Sequence, residues 1–529
     1  MIKIKKLLIL RILTILLLAA MELMTSCKSS ITDPVTSSII RYSASISFQS
    51  KILNRSMHYS IYLPQKYTKE KKYATVYLLH GYGGNETEWM KDGKIDLIIN
   101  DFEQKGLIDP MIYVMPQGDN SYYVNRFNGT NDYMRMFTTE LVPLIDSLYS
   151  TKKDRTQRAV VGFSMGGYGA LILPTKNPDV FSVSVPLSMS FRTDDQYLLE
   201  SQSVFDVQWG PIFGGKGSSG TARLTDYYKQ YTPFHFFADS DASAFESIHY
   251  FIDCGDDEES LSITNNAMHS LMRSKNIQHE YRVRNGAHTW DYWRSGMLEA
   301  LPFIQSCFAG ISYPKETGYS TSEIFSGNMV QQSALGITMN VCLPKDYTSS
   351  GITYPTIYFY HSVETDRLVE TRKMCAVLDS LQKTKPFILV EIDAKNIESN
   401  QTLFQNITSF IDITYRTKTN DINRIGVGNK LGGKELYDAS VDYPSLIYSA
   451  FLFDASLGDA IVTPVSKFIY LDCTDESVNY DSMQALYLMC RNNKITNQFR
   501  VRNGLDTYNS FLQGVNTSIV SIGLMLNML

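Results

Sequence analysis

Short apolar runs recur along the chain and alternate with helical stretches. In the first half they cover residues 75–79, 112–115 and 159–161, and in the second half residues 356–360 and 387–390. Short continuous apolar strands between helices are typical of a parallel sheet that is buried on both faces. The pattern therefore predicts an α/β fold, in which helices flank a mostly parallel central sheet.

One strand-to-helix junction of the first half carries a reactive pattern. Gly162-Phe163-Ser164-Met165-Gly166 follows an apolar strand and precedes a predicted helix. In this G-x-S-x-G context the serine sits on a sharp turn with its hydroxyl projecting, and larger side chains at the flanking glycines would clash. The alternative interpretation is a tight glycine turn that only packs a helix against a strand. The pattern favours a nucleophilic serine at position 164.

A serine nucleophile needs an acid and then a base further along the chain. His288 has the right order, because it follows a predicted strand and a Gly-Ala turn, whereas the other histidines lie in the wrong order or inside predicted elements. The acid is expected after the strand that ends near residue 254, where residues 256–259 are four consecutive carboxylates. Asp257 and Glu258 are the candidates, and the sequence leaves the choice between them open.

Two backbone N–H groups are expected to hold the oxyanion of the reaction. One is that of Met165 at the helix start, and the other is that of Tyr82 in the glycine-rich loop at residues 80–84. No Lys-Ser/Thr pair follows this loop, which argues against a phosphate-binding P-loop. No CxxC pair is present either, so we expect no metal site.

Four segments, at residues 80–84, 115–118, 162–167 and 286–290, together resemble the esterase D-like group of α/β-hydrolases. This group includes the feruloyl and acetylxylan esterases of carbohydrate esterase family one. The resemblance implies a carboxylic ester hydrolase with a Ser-His-Asp/Glu triad and without a metal or organic cofactor. It also implies that an acylated glycan or a small ester is the substrate. The candidate substrate-binding residues are Gly81, Asn120, Tyr123 and Trp290.

The second half repeats two of these motifs without their reactive residues. In residues 425–433, which match the serine turn, Lys430 stands where Ser164 is expected. In residues 500–508, which match the histidine segment, Asp506 stands in place of His288. We therefore expect the second half to be catalytically inert.

The predicted organisation is two tandem α/β-hydrolase domains. Only the first has an additional segment around Trp209 and the glycine-rich residues 214–220, which is expected to form a cap or part of the substrate cleft. The predicted boundaries are residues 41–310 for the catalytic domain, 311–323 for a linker and 324–529 for the degenerate domain.

The N-terminus has the pattern of an export signal. A positively charged start is followed by an apolar run and then by small residues directly before Cys27. This order resembles the cleavage box of bacterial lipoproteins, so we predict a signal peptide at residues 1–26, lipidation of Cys27 and a tether at residues 27–40. Secretion without a lipid is the alternative. The predicted location is the bacterial cell envelope, with membrane contact through the lipid anchor only.

Composition narrows the class of function. Hydrophobic residues make up 44% of the chain and charged residues 19%, which is ordinary for a globular protein. The net charge of −5 is spread along the chain without a basic stripe, which argues against nucleic-acid binding. Three functions stay open: an exported serine esterase, an acyltransferase of the mycolyltransferase type that uses the same acyl-enzyme, and a non-catalytic glycan-binding lipoprotein. The serine and histidine of the first half argue against the last.

Overall fold

Buried apolar strands form the centre of the computed structural model. The structure describes residues 41–321, 325, 327–361, 366–397, 402–458, 461–464 and 466–526. The predicted signal peptide, Cys27 and the tether lie outside the described residues. Among the described residues, no helix has the length and apolar character needed to cross a membrane.

The first half contains eight strands in the described part of the chain. They are β1 (Tyr42–Ser50), β2 (Arg55–Tyr62), β3 (Ala74–Leu79), β4 (Met111–Pro116), β5 (Arg158–Phe163), β6 (Val183–Leu187), β7 (His249–Gly255) and β8 (His279–Arg284). Its helices are α1 (Glu88–Lys91), α2 (Ile95–Gln104), α3 (Tyr133–Met136), α4 (Val142–Leu148), α5 (Met165–Lys176), α6 (Asp194–Leu199), α7 (Gln202–Val204), α8 (Gly210–Phe213), α9 (Asp226–Tyr231), α10 (Pro233–Phe236), α11 (Ser260–Ser274) and α12 (Trp290–Ala309).

The described residues of the second half contribute eight further strands. They are β9 (Met329–Ala334), β10 (Ile337–Cys342), β11 (Thr356–His361), β12 (Ile388–Asp393), β13 (Arg424–Asn429), β14 (Ser449–Phe453), β15 (Phe468–Thr474) and β16 (Thr496–Arg502). The helices are α13 (Arg367–Val377), α14 (Asp379–Thr384), α15 (Ala394–Ile397), α16 (Leu403–Thr414), α17 (Lys430–Asp442), α18 (Tyr480–Asn492) and α19 (Tyr508–Met525).

All of these strands join into one continuous sheet. The order is β1-β2-β4-β3-β5-β6-β7-β8 in the first half, and it continues as β16-β15-β14-β13-β11-β12-β10-β9 in the second. Read from its own outer edge, the second half therefore has the same strand order as the first. The inner strands of each half are parallel, and β8 and β16 meet antiparallel at Val283 and Val501. We call this meeting line the seam.

The central strands are buried on both faces, as the apolar runs predict. In β3, Tyr77 and Leu79 pack into one core, whereas Val76 and Leu78 pack into another on the opposite face of the sheet. This is the helix–sheet–helix layering of an α/β fold, and it confirms the predicted class.

The expectation of two separate domains is only partly met. Residues 41–529 form one compact unit, because the sheet continues across the seam. The linker is also packed against the protein: Lys315 lies 3.0 Å from Glu280 and 3.2 Å from Asp475, and Asn503 donates a hydrogen bond of 3.0 Å to the carbonyl of Pro314. The boundaries at residues 310 and 324 stay a prediction.

Candidate active site

Ser164 lies on a strained turn between β5 and α5. Its backbone has a φ of 58° and a ψ of −121°, a conformation that non-glycine residues rarely adopt and that costs about 1–3 kcal/mol. The flanking glycines explain how the turn fits: a Cβ on Gly162 would collide with the carbonyl of Gly166, and one on Gly166 would collide with the carbonyl of Leu79. The neighbouring strand end anchors the turn, since the backbone N–H of Ser164 donates to Leu187 O at 3.0 Å. The local sequence thus produces the geometry expected for the pattern.

The carboxylate of Glu258 is buried beside the imidazole of His288. Glu258 Oε2 lies 2.7 Å from His288 Nδ1, and Glu258 Oε1 accepts hydrogen bonds from Gly255 N at 2.8 Å and from Ser188 Oγ at 2.5 Å. The Ser188 oxygen in turn accepts a bond of 2.8 Å from Trp293 Nε1. Each carboxylate oxygen is therefore paired, which a buried carboxylate requires.

The two acid candidates, Asp257 and Glu258, differ in their position relative to His288. Asp257 is exposed, and its backbone N–H donates to Gly286 O at 3.1 Å. Glu258 is 4% exposed and is the member of this acidic run that contacts His288. The structure thus brings Glu258 to the histidine and leaves Asp257 in solvent.

His288 has the environment of a base that is held in one tautomer. With Nδ1 occupied by the carboxylate, Nε2 is the ring nitrogen left to accept a proton. The imidazole also packs edge-on against the indole of Trp293, with 4.9 Å between the ring centroids. The side chain is 38% exposed, so solvent and substrate can reach it.

Ser164 and His288 line the same open cleft of about 480 Å³. Its lining residues are Ser164, Ser190, Arg192, Asp257, Glu258, Glu259, Ser260, Leu261, Ala287, His288 and Thr289. In the part of the chain that the structure describes, Ser164 and His288 make no direct hydrogen bond. Such bonds are commonly long without substrate and shorten when it binds.

The two predicted oxyanion donors lie at the start of α5 and in the glycine loop. Met165 is the first residue of the helix, where backbone N–H groups have no acceptor within the helix. The loop that carries Tyr82 is held in shape by a bond from Gly84 N to Gly81 O at 3.1 Å and by one from Gly83 N to Asn120 Oδ1 at 2.7 Å. The roles of the Met165 and Tyr82 N–H groups as donors to the oxyanion stay predictions.

Comparison with known proteins identifies the segment that contains this site. The model of a family described as "Putative esterase" matches residues 50–304, which include Ser164, Glu258 and His288. This segment belongs to the esterase family. The second-half residues Lys430 and Asp506 lie outside the match.

Individual proteins are also similar to parts of this chain. The chain is 32% identical over 145 residues to an endo-1,4-beta-xylanase/feruloyl esterase of Xylanibacter ruminicola, over 26% of this chain and 20% of the relative. It is 23% identical over 276 residues to an acetyl esterase of Caldicellulosiruptor saccharolyticus, over 49% of this chain and 96% of the relative. A solved ferulic acid esterase is 27% identical with a TM-score of 0.42, covering 51% of this chain and 99% of that structure. The chain thus spans a fifth of the length of the first of these relatives.

The four substrate-binding residues expected from the sequence have contacts within the protein, and the roles of Gly81, Asn120 and Trp290 stay predictions. Tyr123 is fully buried and its hydroxyl donates to His80 O at 2.9 Å, so the prediction that it contacts substrate is corrected: it is a core residue. Asn120 accepts the bond from the glycine loop, and a Cβ on Gly81 would lie 2.7 Å from the Phe163 ring. Trp290 packs on Phe163, with 4.5 Å between ring centroids. None of the four is among the residues that line the described cleft.

Sequence reasoning missed Ser190 and Arg192, which line the esterase cleft. Both follow β6, the strand beside β5, and the carboxyl ends of neighbouring parallel strands are where α/β folds bind ligands. That rule could have indicated them. Arg192 is fixed by an ion pair of 2.7 Å with Glu200 and lies 5.3 Å above the Trp209 ring. The additional segment of the first half thus supports the cleft through the contact of Trp209 with Arg192.

The second half keeps the shape of the serine turn but not its chemistry. Lys430 has a φ of 49°, close to that of Ser164, and its Nζ lies 3.0 Å from Asp506 Oδ1. The two residues that replace the nucleophile and the base thus form an ion pair with each other. A third replacement was not noticed in the sequence: Ser477 occupies the place of Glu258, three residues after the end of the matching strand.

No metal cluster accompanies the esterase site. Within the residues that the structure describes, no group of three or more His, Cys, Asp or Glu side chains could hold a metal ion. The six described cysteines are free, and the sulfurs of Cys342 and Cys375 lie 2.7 Å apart.

Proposed function

We propose that the esterase segment hydrolyses carboxylic esters through an acyl-enzyme on Ser164. The observation that carries this proposal is the contact of 2.7 Å between the buried carboxylate of Glu258 and His288, in the same cleft as a serine on a strained strand-to-helix turn. A carboxylate that orients an imidazole next to a serine hydroxyl is the arrangement that activates serine for acyl transfer.

The reaction proceeds in two steps with the same groups. Ser164 Oγ attacks the ester carbonyl carbon while His288 Nε2 takes the hydroxyl proton, and the N–H groups of Met165 and Tyr82 bind the oxyanion. His288 then gives the proton to the departing alcohol, which leaves the acyl group on Ser164. Water attacks this ester with the same base, and the acid is released. The Glu258 carboxylate stabilises the charged imidazole.

We propose acylated polysaccharides or oligosaccharides as the substrate class, with acetyl or feruloyl as the acyl group. The support is that the proteins similar to this chain include a feruloyl esterase and an acetyl esterase. The proposed location is the cell envelope, reached by the export signal and lipidated Cys27 that the sequence predicts. An enzyme placed there meets polymeric substrates that do not enter the cell.

The second half is proposed to be a catalytically silent copy of the first. The support is the matching strand order, together with the three replacements Lys430, Ser477 and Asp506 at the positions of nucleophile, acid and base. A carboxylate paired to a lysine at 3.0 Å cannot accept and return a proton as an imidazole does.

The test is hydrolysis of p-nitrophenyl acetate by the full chain. We expect Ser164→Ala to abolish it and the matched variant Lys430→Ala to leave it unchanged. Activity is then profiled on methyl ferulate, acetylated xylan and simple aliphatic esters, with and without an added sugar as acceptor. Transfer to the acceptor in preference to water indicates the acyltransferase instead. Retention of full activity in Ser164→Ala would contradict the proposal.

A further inference from the structure

Two matching, buried ion pairs connect the two halves across the seam. Asp256 of the first half lies 2.5 Å from Arg500 of the second, and Asp475 of the second half lies 2.8 Å from Arg282 of the first. These residues match in sequence, since each aspartate directly follows the strand end of its half and each arginine stands at the same place in β8 or β16. All four side chains are at most 13% exposed. Only the pair of Asp256 with Arg500 involves the loop that carries Glu258, the acid of the proposed triad.

Asp256 connects that loop to the histidine segment. Its Oδ1 accepts a hydrogen bond of 3.2 Å from Gly286 N, two residues before His288. Its Oδ2 accepts bonds from Arg500 Nη1 at 2.5 Å and from Phe499 N at 3.0 Å, both in the second half. Since Glu258 follows Asp256 by two residues, this single carboxylate ties together the acid loop, the histidine segment and the seam.

Two further donors of the second half bind the main chain of the same residue. The carbonyl oxygen of Asp256 accepts hydrogen bonds from Tyr487 Oη and from Arg491 Nη1, each at 2.5 Å. Both donors lie on α18, which packs against α11 of the first half. The backbone and the side chain of Asp256 are therefore both held by the silent half.

We propose that the second half positions the Glu258–His288 pair by fixing Asp256, with Arg500 as the main positioning residue. This inference rests on the proposed function of the esterase segment. It gives the silent half a role in the activity of the other half, although none of the second-half residues that the structure describes lines the cleft of Ser164 and His288.

The physical reason is the burial of the Asp256 carboxylate. Burial raises the pKa of Asp256, and the Arg500 guanidinium opposes that rise. Without Arg500 the carboxylate is left buried and without its charged partner, a situation that proteins relieve by protonation or by moving the group towards water. Either response shifts the loop that carries Glu258, and small displacements of an aligned catalytic group lower the rate steeply.

The test compares Arg500→Gln with Asp475→Asn in the full chain. Arg500→Gln removes the charge next to the acid loop but keeps a hydrogen-bond donor, whereas Asp475→Asn breaks the reciprocal pair, whose loop has Ser477 in place of the acid. We expect Arg500→Gln to lower kcat for p-nitrophenyl acetate about ten- to hundredfold per folded molecule, with KM unchanged within about twofold. Asp475→Asn should keep kcat within about threefold. Arg500→Lys, which restores the charge, should recover most of the loss.

A milder pair of variants decides the matter if Arg500→Gln does not fold. Tyr487→Phe removes one hydroxyl that bonds the Asp256 carbonyl, and Tyr480→Phe removes one that bonds Asn266 Oδ1 at 2.7 Å, from the same helix and across the same interface. We expect kcat to fall about threefold or more in Tyr487→Phe, a loss on the scale of one hydrogen bond, and to stay unchanged in Tyr480→Phe.

The outcomes separate this inference from the function on which it rests. If Arg500→Gln has the same kcat as Asp475→Asn, or Tyr487→Phe the same as Tyr480→Phe, while the wild type shows Ser164-dependent hydrolysis, the positioning role is overturned and the proposed function stands. Absence of Ser164-dependent hydrolysis in the wild type overturns both.

Discussion

Replacing Glu258 with glutamine tests the hydrogen bond between the acid and the base of the proposed triad, Glu258 and His288. The variant preserves size and removes one charge. Glu258 Oε1 accepts two hydrogen bonds, from Gly255 N and Ser188 Oγ, so the amide oxygen of the glutamine should take that place. The amide NH₂ group then faces His288 Nδ1 and donates to it. This forces the proton of the imidazole onto Nε2, the nitrogen that has to accept the proton of Ser164.

The expected loss has two parts. A hydrogen bond to a charged group is worth about 1.5–3 kcal/mol, which corresponds to a factor of about 10–150 in rate if it acts only in the transition state. The wrong tautomer adds to this, and replacing the orienting carboxylate by an amide in serine enzymes has lowered kcat about 10⁴-fold. Because the side chain of His288 is 38% exposed, water can partly replace the lost partner. We therefore expect kcat to fall about 10²- to 10⁴-fold.

The assay is steady-state hydrolysis of p-nitrophenyl acetate, with folding checked by thermal unfolding. Asp257→Asn is the matched control, since it removes a neighbouring carboxylate that is exposed and does not contact His288. We expect the control to keep kcat within about threefold. A loss of less than about tenfold in Glu258→Gln, or a larger loss in Asp257→Asn than in Glu258→Gln, would refute the assignment of the acid.

Three further outcomes follow from the described contacts. Ser188→Ala should lower kcat about tenfold, because it removes one of the two donors that hold Glu258 Oε1; an unchanged kcat in steady-state assays would show that this bond does not position the acid. Lys430→Met should change the free energy of unfolding by less than about 1 kcal/mol in urea titrations, since the pair with Asp506 is half-exposed, and a larger loss would mean that the pair is structural. The sulfurs of Cys342 and Cys375 lie 2.7 Å apart, so we expect them to form a disulfide if the protein is exported to an oxidising compartment. Peptide mapping without reductant should then recover the two cysteines linked, and recovery of two alkylated thiols would contradict this.

The sequence predicted the parts of the site that depend on neighbouring residues. The turn at Ser164 needs only a strand, two glycines and a helix within a few residues, and all of these can be recognised in the sequence. The α/β class could be predicted for the same reason, because each apolar run by itself indicates a buried strand.

The remaining features depend on residues that are distant in sequence. Glu258 is distinguished from Asp257 by its burial and by its contacts with His288 and Ser188, which lie 30 and 70 positions away in the chain. At the seam, β8 pairs with β16, although nearly the whole second half separates the two strands in sequence. No local pattern in either strand indicates that pairing. Tyr123 was expected to bind substrate, but its side chain is fully buried in the core.

The most direct test of the central claim is to identify the residue that a fluorophosphonate probe labels in the full chain. The probe reacts with serine hydroxyls that a neighbouring base has activated. We predict that peptide mapping by mass spectrometry finds the label on Ser164, and that His288→Ala prevents the labelling. A label elsewhere, or ester hydrolysis that continues while Ser164 stays unlabelled, would contradict the account.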